Sequence, residues 1–396
     1  MKIQSTETFI NRVKRLSPAG SHCFGGGYFD KYQDDPSGRF LLCLKAPFMD
    51  RMPAPDDKAE IGLIDRGANN SYHPLNTTNA WCWQQGCMLQ WLSGGQDTCF
   101  LFNDRDDDGF VARITDTASG MTRRLPRAVY AVSPDGALAA CCNFSRLADE
   151  RPGYGYEGVP DPGRETAHPD DDGLWLMNTR SGVCTLAVSI DQLYCFPPKR
   201  DHFDFGKHRL YHILFSTDGR RLFFLHRWQI PYGGHLTRFF TVDNDGRNLY
   251  LLNDKDMTSH ASWFAADKII AFANESHWGY YEYIDRSSEV TEIAAGFFFG
   301  DGHCTYSPDG KWMLTDSYPD DAHCRTLSIY NLADRKKIDL GRFFSPPIID
   351  TPLRCDLHPR WSRDGYRIYF DSLHEGFRGI YQIELDDFFI QYDKKY

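Results

Sequence analysis

The stretch His303-Cys304-Thr305-Tyr306-Ser307-Pro308-Asp309-Gly310 decides the fold, because it returns at other points of the chain. The other copies are His212-Ile-Leu-Phe-Ser-Thr-Asp-Gly219, His260-Ala-Ser-Trp-Phe-Ala-Ala-Asp267 and His358-Pro-Arg-Trp-Ser-Arg-Asp-Gly365. Each copy has the pattern of a short aromatic strand that runs into a turn, and each begins with a histidine. If the copies are units of one repeat, four histidines face one another at one end of its axis.

Related turn signals divide the whole chain into seven units. They lie 40 to 83 residues apart, at 35–38, 93–95, 133–136, 216–219, 265–267, 307–310 and 362–365. The shortest intervals match a four-stranded propeller blade, and a single blade cannot bury both of its faces without neighbours. The sequence therefore predicts an all-β fold, a seven-bladed β-propeller of four-stranded antiparallel blades.

We expect one propeller domain over residues 1–396. Residues 1–30 form an N-terminal extension that begins with a short helix from Glu7 to Leu16. The long intervals between turn signals contain inserted loops, at 146–172 and 192–209. Extra loops on a rigid scaffold are common places for binding groups.

Composition narrows the possible functions. Aromatic residues make up 15% of the chain and hydrophobic residues 41%, which is enough for a β-rich core. The net charge of −10 is unlike that of a protein that binds nucleic-acid backbones, although an acidic protein can still hold a local basic pocket. The chain has neither an N-terminal apolar segment nor an apolar run of 18 residues, so we expect no membrane partner. Cytoplasmic localisation is the expectation, with a periplasmic or secreted location if a leader has been removed.

The last two units offer ligands for a metal ion. His303 and Asp316 are thirteen residues apart, as are His358 and Asp371, so each pair meets across a hairpin; Cys355 lies three residues before His358. Mixed nitrogen, oxygen and sulfur donors suit zinc. We expect a divalent metal, with zinc favoured over manganese, on His303, Asp316, Cys355 and His358. The alternative is that these histidines only pack and form hydrogen bonds at the end of the channel.

Basic and aromatic residues of the fourth and fifth units indicate an acidic sugar substrate. Arginine can bind a carboxylate through two hydrogen bonds, and histidine or tyrosine can transfer protons. These are the groups that β-elimination from a uronate requires. We expect catalytic roles for Arg238, His260, Tyr156 and His226. The expected substrate-binding residues are His212, Arg227, Tyr154 and Trp228. The alternative is that Arg227 and Trp228 only pack at the end of a strand.

The C-terminal third resembles the oligogalacturonate lyases, a group of seven-bladed propeller polysaccharide lyases. The resemblance is carried by Gly302–Trp312, His358–Gly365, Thr237-Arg238-Phe-Phe and Ser259-His260-Ala-Ser-Trp. It implies a manganese-type ion on His303 and His358, with Arg238 as base and His260 nearby. The His-x-His step of that family is Asp356-Leu357-His358 in this chain, so one ligand differs.

The middle of the chain resembles the ulvan lyases, through Trp83–Trp91, Phe102-Asn-Asp, Asn143–Leu147 and Arg151–Tyr156. That resemblance implies a structural zinc in the later blades. The early-blade histidines that those enzymes use are replaced by Gln84-Gln85 and Asn103-Asp104-Arg105.

Together these features predict a polysaccharide or oligosaccharide lyase that cleaves a uronate-containing glycan by β-elimination. Two alternatives stay open. One is a glycoside hydrolase acting on a rhamnose–uronate linkage. The other is a propeller without catalytic activity that binds carbohydrate or another protein.

Overall fold

The computed structural model describes residues 7–8, 13–231, 233–347 and 351–395. These residues form seven sheets arranged as the blades of a β-propeller, which confirms the predicted fold. Neighbouring strands within each blade are antiparallel.

The first three blades contain the following strands. Blade 1 is formed by β3 (His22–Phe24), β4 (Phe40–Ala46), β5 (Ala59–Asp65) and β6 (Ser71–Thr78). Blade 2 is formed by β7 (Gln90–Trp91), β8 (Cys99–Asp106), β9 (Gly109–Asp116) and β10 (Thr122–Leu125). Blade 3 is formed by β11 (Ala131–Val132), β12 (Leu138–Cys141), β13 (Gly173–Asn178) and β14 (Cys184–Ser189).

The last four blades continue in chain order. Blade 4 is formed by β15 (His208–Phe215), β16 (Arg221–Gln229), β17 (His235–Asp243) and β18 (Tyr250–Asn253). Blade 5 is formed by β19 (Thr258–Trp263), β20 (Lys268–Asn274), β21 (Trp278–Ile284) and β22 (Val290–Ile293). Blade 6 is formed by β23 (Thr305–Tyr306), β24 (Trp312–Asp316), β25 (Cys324–Asn331) and β26 (Lys336–Phe344). Blade 7 contains β27 (Arg360–Trp361), β28 (Arg367–Ser372) and β29 (Gly379–Glu384).

The N-terminal segment closes the ring. Strand β2 (Lys14–Arg15) pairs with β29 and supplies the fourth strand of blade 7, while β1 (Glu7–Thr8) lies parallel to β26. The predicted helix at 7–16 is therefore wrong at both of its described ends, and residues 9–12 lie outside the described part of the chain. Backbone pairing between the two ends of the chain therefore completes the four strands of blade 7.

Helices are short and lie mainly in the connections. They are α1 (Phe144–Glu150), α2 (Ile190–Cys195), α3 (Asp386–Lys395) and the 3-10 helices at Arg66–Ala68, Asp201–Phe205 and Thr351–Leu353. The connections after β12 and β14 contain α1 and α2, and they include the stretches 146–172 and 192–209. No helix of the described residues is long and apolar enough to cross a membrane.

The seven turn signals all lie between the first two strands of their blades, as their repetition predicts. In blade 6, the hydroxyl of Ser307 donates to Asp309, and Gly310 adopts φ +71°. This left-handed conformation favours glycine at the end of the turn. Apolar side chains pack between neighbouring blades, where Trp263 stacks on Phe223 with ring centroids 6.0 Å apart.

Blade 1 departs from the repeat in a way that fills the axial channel. The chain leaves the sheet after β3 and rejoins it at Gln33, whose carbonyl accepts a hydrogen bond from the backbone of Leu42. We call residues 25–32 the axial loop. Its start passes so close to blade 7 that a Cβ on Gly25 would lie 2.3 Å from Nη1 of Arg360. Close packing, as well as a turn, therefore requires glycine in the sequence Gly25-Gly26-Gly27.

Asp34 fixes the return of the axial loop to the sheet. Its carboxylate accepts the backbone N–H of Arg363 at 3.1 Å, and its other carboxylate oxygen has no hydrogen-bond partner among the described residues. Burial raises the pKa of Asp34 to about 6, although Arg363 opposes this shift. The pKa of Asp34 in the folded protein lies above the ordinary value. The folded protein therefore still holds this proton at pH values where the unfolded chain has already lost it.

We expect the free energy of unfolding to fall as the pH rises from about 4 to about 6, by up to about 3 kcal/mol for this group. Asp34→Asn removes this contribution, so the variant should gain stability over the wild type at pH 7 but not at pH 4. Urea unfolding at both pH values measures the difference. The exposed Asp107→Asn is the control; an equal effect of Asp34→Asn at both pH values would show that Asp34 is ionised throughout.

Candidate functional site

Four histidines meet at one end of the channel, as the repeat predicts. The ring centroids of His260 and His303 are 3.9 Å apart, and those of His303 and His358 are 4.4 Å apart. His212 joins them through Tyr28 of the axial loop, whose ring lies 5.2 to 6.4 Å from all four imidazoles. The axial loop therefore places a fully buried aromatic ring at the centre of the histidines.

Two of these histidines form a group suited to a metal ion with Asp356. One ligand atom from each of His303, Asp356 and His358 lies within 4.8 Å of the others, and all three residues are buried. We call these residues the metal group. Nε2 of His358 is buried without a hydrogen-bond partner among the described residues. An unpartnered buried nitrogen beside a carboxylate and a second imidazole fits a divalent cation.

Asp316 orients His303 within the metal group. Its carboxylate lies 2.9 Å from Nδ1 of His303 and also accepts the backbone N–H of that residue at 2.8 Å. This contact leaves Nε2 of His303 for a ligand, as in many carboxylate–histidine–metal arrangements. The pairing of His303 with Asp316 was anticipated from their spacing of thirteen residues. The corresponding residue of blade 7, Asp371, instead binds Arg360 and the backbone of Gly25.

Cys355 lies beside the metal group but is not part of it. Its thiol is 3.8 Å from the carbonyl oxygen of Asp356, and burial raises its pKa to about 11. Of the four residues predicted to bind metal, the structure brings His303 and His358 into the group and Asp316 into contact with it. The sequence indicated Asp356 only as a departure from the lyase pattern; the segment that contains it is not a strand, and His358 has a left-handed backbone with φ +41°.

Two arginines hold the carboxylate of Asp356. Nη2 of Arg325 lies 2.8 Å from Oδ1, and Nε of Arg354 lies 2.9 Å from Oδ2. Burial alone would raise the pKa of Asp356, but Arg325 and Arg354 outweigh it and hold the pKa well below its usual range. The group is therefore a carboxylate at any ordinary pH, which is the form that binds a cation.

The carboxylates that contact His260 and His303 line a cavity of about 250 Å³. Asp301 lies 2.9 Å from Nδ1 of His260 and lines this cavity together with Asp316 and Tyr318. Burial lowers the pKa of His260, although Asp301 opposes the shift. The cavity therefore reaches the carboxylates that contact these two histidines, but neither imidazole lines it.

A second cluster, formed by Arg151, Arg209 and Arg227, lies beside Tyr154 and Tyr211. We call these three residues the arginine cluster. The guanidinium carbon of Arg227 lies 4.5 Å from the ring centroid of Tyr211, and that of Arg151 lies 4.3 Å from the ring centroid of Tyr154. Arg209 and Arg227 are directly opposite each other on β15 and β16. Three like charges therefore occupy one buried region.

Arg209 is the unusual member of the arginine cluster. Its side chain is 1% exposed, and none of its three guanidinium nitrogens has a hydrogen-bond partner among the described residues. Burial lowers the pKa of Arg209 to about 9, with further contributions from Arg151 and Arg227. A buried guanidinium without partners is costly unless an anion binds it. Sequence reasoning missed Arg209, although a charge directly before the largely apolar stretch Leu210–Phe215 of β15 was an available signal.

Arg354 connects the arginine cluster with the metal group. Its Nη2 donates to the hydroxyl of Tyr154 at 2.7 Å, and its Nε binds Asp356. Burial alone would raise the pKa of Tyr154, but the charges of Arg151 and Arg354 lower it below the ordinary value. Tyr211 continues the connection to the axial loop, because its hydroxyl lies 2.9 Å from that of Tyr28. Direct contacts therefore link the metal group with Tyr154 through Arg354, and Arg151 and Arg227 lie against the rings of Tyr154 and Tyr211.

The other predicted site residues use their side chains elsewhere. Arg238 donates to the carbonyls of Phe196 and Pro197 and pairs with Asp254 at 3.2 Å. His226 lies 2.8 Å from His208, and both rings stand against Trp228. The hydroxyl of Tyr156 accepts from Asn103, and its ring stacks on Phe144. His212 binds Asp30 at 3.3 Å at the edge of the histidines.

Comparison with known proteins agrees with the fold. No protein-family model and no curated protein matches the chain. The crystal structure of oligogalacturonate lyase from Vibrio parahaemolyticus is similar over 96% of both chains, with a TM-score of 0.67 and 13% identity. An oligogalacturonate lyase in complex with manganese is similar over 96% of both chains, with a TM-score of 0.68 and 15% identity. The tricorn protease is similar over 94% of this chain and 34% of its own, with a TM-score of 0.52 and 12% identity.

These identities are low, so the similarities show the fold alone. At that level the resemblance to the propeller lyases of the oligogalacturonate type is confirmed. The tricorn protease shares the architecture but is named for a different activity. The function of this chain therefore has to be argued from its site.

The metal group can be tested directly. His358→Ala removes the unpartnered imidazole, so we expect the affinity for Zn²⁺ or Mn²⁺ to fall by more than about 10-fold. Elemental analysis of purified protein and the shift in melting temperature on adding metal report the change. His73→Ala, at an exposed position of β6, is the matched control. Equal metal content in both variants and the wild type would mean that the ion binds elsewhere or not at all.

Proposed function

We propose that this protein is a divalent-metal-dependent lyase that cleaves a uronate-containing oligosaccharide by β-elimination. The observation that carries the proposal is Arg354, which contacts both a metal-group carboxylate and Tyr154 of the neighbouring cationic region. A carboxylate substrate placed between the two regions meets a cation on each side. The fold shared with oligogalacturonate lyases supports the same substrate class.

The arginine cluster would bind the carboxylate of the uronate. Arg209 offers a guanidinium whose donors have no hydrogen-bond partners within the described residues, and Arg151 and Arg227 add positive charge beside it. Arginine matches a carboxylate with two parallel hydrogen bonds. Such an ion pair in a buried region also orients the sugar ring. Neutralising this carboxylate makes the adjacent C5–H bond more acidic, which is the first requirement of β-elimination.

Tyr154 is the proposed proton acceptor at C5. Its hydroxyl is held by Arg354, and the two arginines beside it favour the phenolate. Removal of the C5 proton forms the C4–C5 double bond as the C4–O bond breaks. The imidazolium form of His260 is the proposed donor to the leaving oxygen, because its Nδ1–H is held by Asp301 and its Nε2–H is left to protonate that oxygen.

His303, Asp356 and His358 would hold the divalent ion. A bound ion at this position supplies positive charge that stabilises the carboxylate as negative charge develops on it. Two imidazoles and one carboxylate suit either zinc or manganese. Because Cys355 lies outside the group, the sulfur donor that favoured zinc is not among these ligands.

Arg238, Tyr156, His226 and Trp228 are not part of the proposed site. Their polar atoms or rings contact other residues of the inserted segments and of blades 2 and 4. We infer that these four side chains hold those segments in place. His212 and Arg227 remain in the proposal, as residues that border the bound sugar.

Glycoside hydrolysis is the second candidate, and the carboxyl groups near the histidines argue against it. A hydrolase needs a protonated carboxyl group as general acid. Burial would favour that form for Asp301 and Asp356, but His260 holds the pKa of Asp301 below its usual range, and the arginines do the same for Asp356. Both are then carboxylates at neutral pH.

An assay with oligogalacturonate distinguishes these reactions. Elimination creates an unsaturated uronate that absorbs in the ultraviolet, whereas hydrolysis yields reducing sugar without that absorbance. We expect the absorbance to rise with wild-type protein, and Tyr154→Phe to lower the turnover number by roughly 100-fold or more, in the range of proton-transfer catalysis. Reducing ends without absorbance would identify a hydrolase, and neither product from a panel of uronate-containing glycans would identify a binding protein.

The arginine cluster gives a prediction with two readouts. Arg209→Met should lower kcat/KM roughly 10- to 100-fold, because a charged hydrogen bond to the substrate is lost. It should not lower the melting temperature, because the wild-type guanidinium has no internal partner to lose. Arg220→Met changes an exposed arginine and serves as the control. Loss of stability with unchanged kcat/KM would assign Arg209 to the core instead.

A further inference from the structure

A separate cavity lies at the opposite end of the channel from the histidines. The inner strands of blades 4 to 7 begin near His212, His260, His303 and His358 and run away from them. Their far ends line a cavity of about 420 Å³. This volume is within the usual range of small-molecule sites, about 300–1,000 Å³.

The axial loop separates this cavity from the site described above. Tyr28 and Phe29 fill the channel at the level of the histidines and are almost fully buried. The next residues of the loop, Asp30 and Lys31, line the opposite cavity. The two ends of the channel are therefore distinct spaces.

Three buried hydrogen-bond donors belong to residues that line the cavity and have no partners among the described residues. They are the hydroxyls of Thr305 and Tyr306 and the indole N–H of Trp361. The exposed fractions of these residues are 8%, 8% and 3%. Neighbouring tryptophans are satisfied: the indole of Trp263 donates to the carbonyl of Leu214 at 3.1 Å. Unpartnered buried donors are uncommon in folded proteins and match a ligand that is rich in oxygen acceptors.

The charges around the cavity favour a negative ligand. Lys31, Arg360 and Arg363 line it, and Asp30 is the one carboxylate among the lining residues. Asp30 is itself engaged by Lys31 and His212, at 2.9 and 3.3 Å. Nε of Arg360 has no hydrogen-bond partner in the described part of the chain, since Asp371 binds only the two terminal nitrogens of that guanidinium.

Aromatic rings supply the remaining surface. Phe29, Trp91, Trp263 and Trp361 line the cavity, and such rings pack well against the C–H face of a saturated ring. We propose that this cavity is a second binding site, specific for a small cyclic carboxylate of about the size of a sugar acid. It does not depend on the proposed lyase activity, because it uses none of the residues of that site.

Calorimetry with D-galacturonate tests the proposal on the full chain. We expect saturable binding to the wild type and weaker binding of D-galactose, which lacks the carboxylate. The double variant Thr305→Val/Trp361→Phe removes two donors; valine keeps the shape of threonine, whereas phenylalanine is smaller than the indole. It should bind D-galacturonate at least about 10-fold more weakly.

Two further variants complete the experiment. Thr291→Val/Trp278→Phe makes the same changes at exposed positions of blade 5 and should keep wild-type affinity. Arg209→Met should also keep this binding event, because it alters only the histidine end of the channel. Absence of saturable binding, or equal affinity in the Thr305→Val/Trp361→Phe variant, would overturn the proposal. Binding that disappears in Arg209→Met alone would place the uronate at the other end. If the double variant is destabilised, Thr305→Val alone provides the same comparison.

Discussion

The buried carboxylate of Asp356 is the contact on which the proposed site depends. It lies between two arginines and beside two imidazoles, so it takes part in both halves of the site. An ionised carboxylate in a protein interior is stable only when such partners surround it. Arg354 then extends the same network to Tyr154. This one charge therefore fixes the position of the metal group relative to the arginine cluster.

Much of the fold could be predicted from the sequence, because the information is local and repeated. The phrase that begins at His303 contains a strand, a turn and a histidine at a fixed distance, and the seven related turn signals give the number of blades. The distance of thirteen residues across a hairpin also placed Asp316 on His303. Such predictions need only the geometry of a two-stranded ribbon. The residue types and their spacing determine that geometry.

The rest of the site depends on contacts between distant parts of the chain. Tyr28 enters the channel because the axial loop leaves blade 1, and the turn signals contain no information on that path. Tyr154 meets Tyr211 of blade 4 because an inserted segment folds over that blade, so spacing could not reveal the contact. Arg238 lies on a predicted strand as expected, but carbonyls of another insertion bind its guanidinium. Long-range packing decided which polar residues stayed without internal partners.

A crystal structure of the metal-loaded Tyr154→Phe variant with a short oligogalacturonate would show whether both groups bind one substrate. We expect an ion bound by His303, Asp356 and His358, and a substrate carboxylate within hydrogen-bond distance of the guanidinium of Arg209. An ion held by other residues, or a uronate bound away from Arg209, would contradict the assignment of these two groups to one catalytic site.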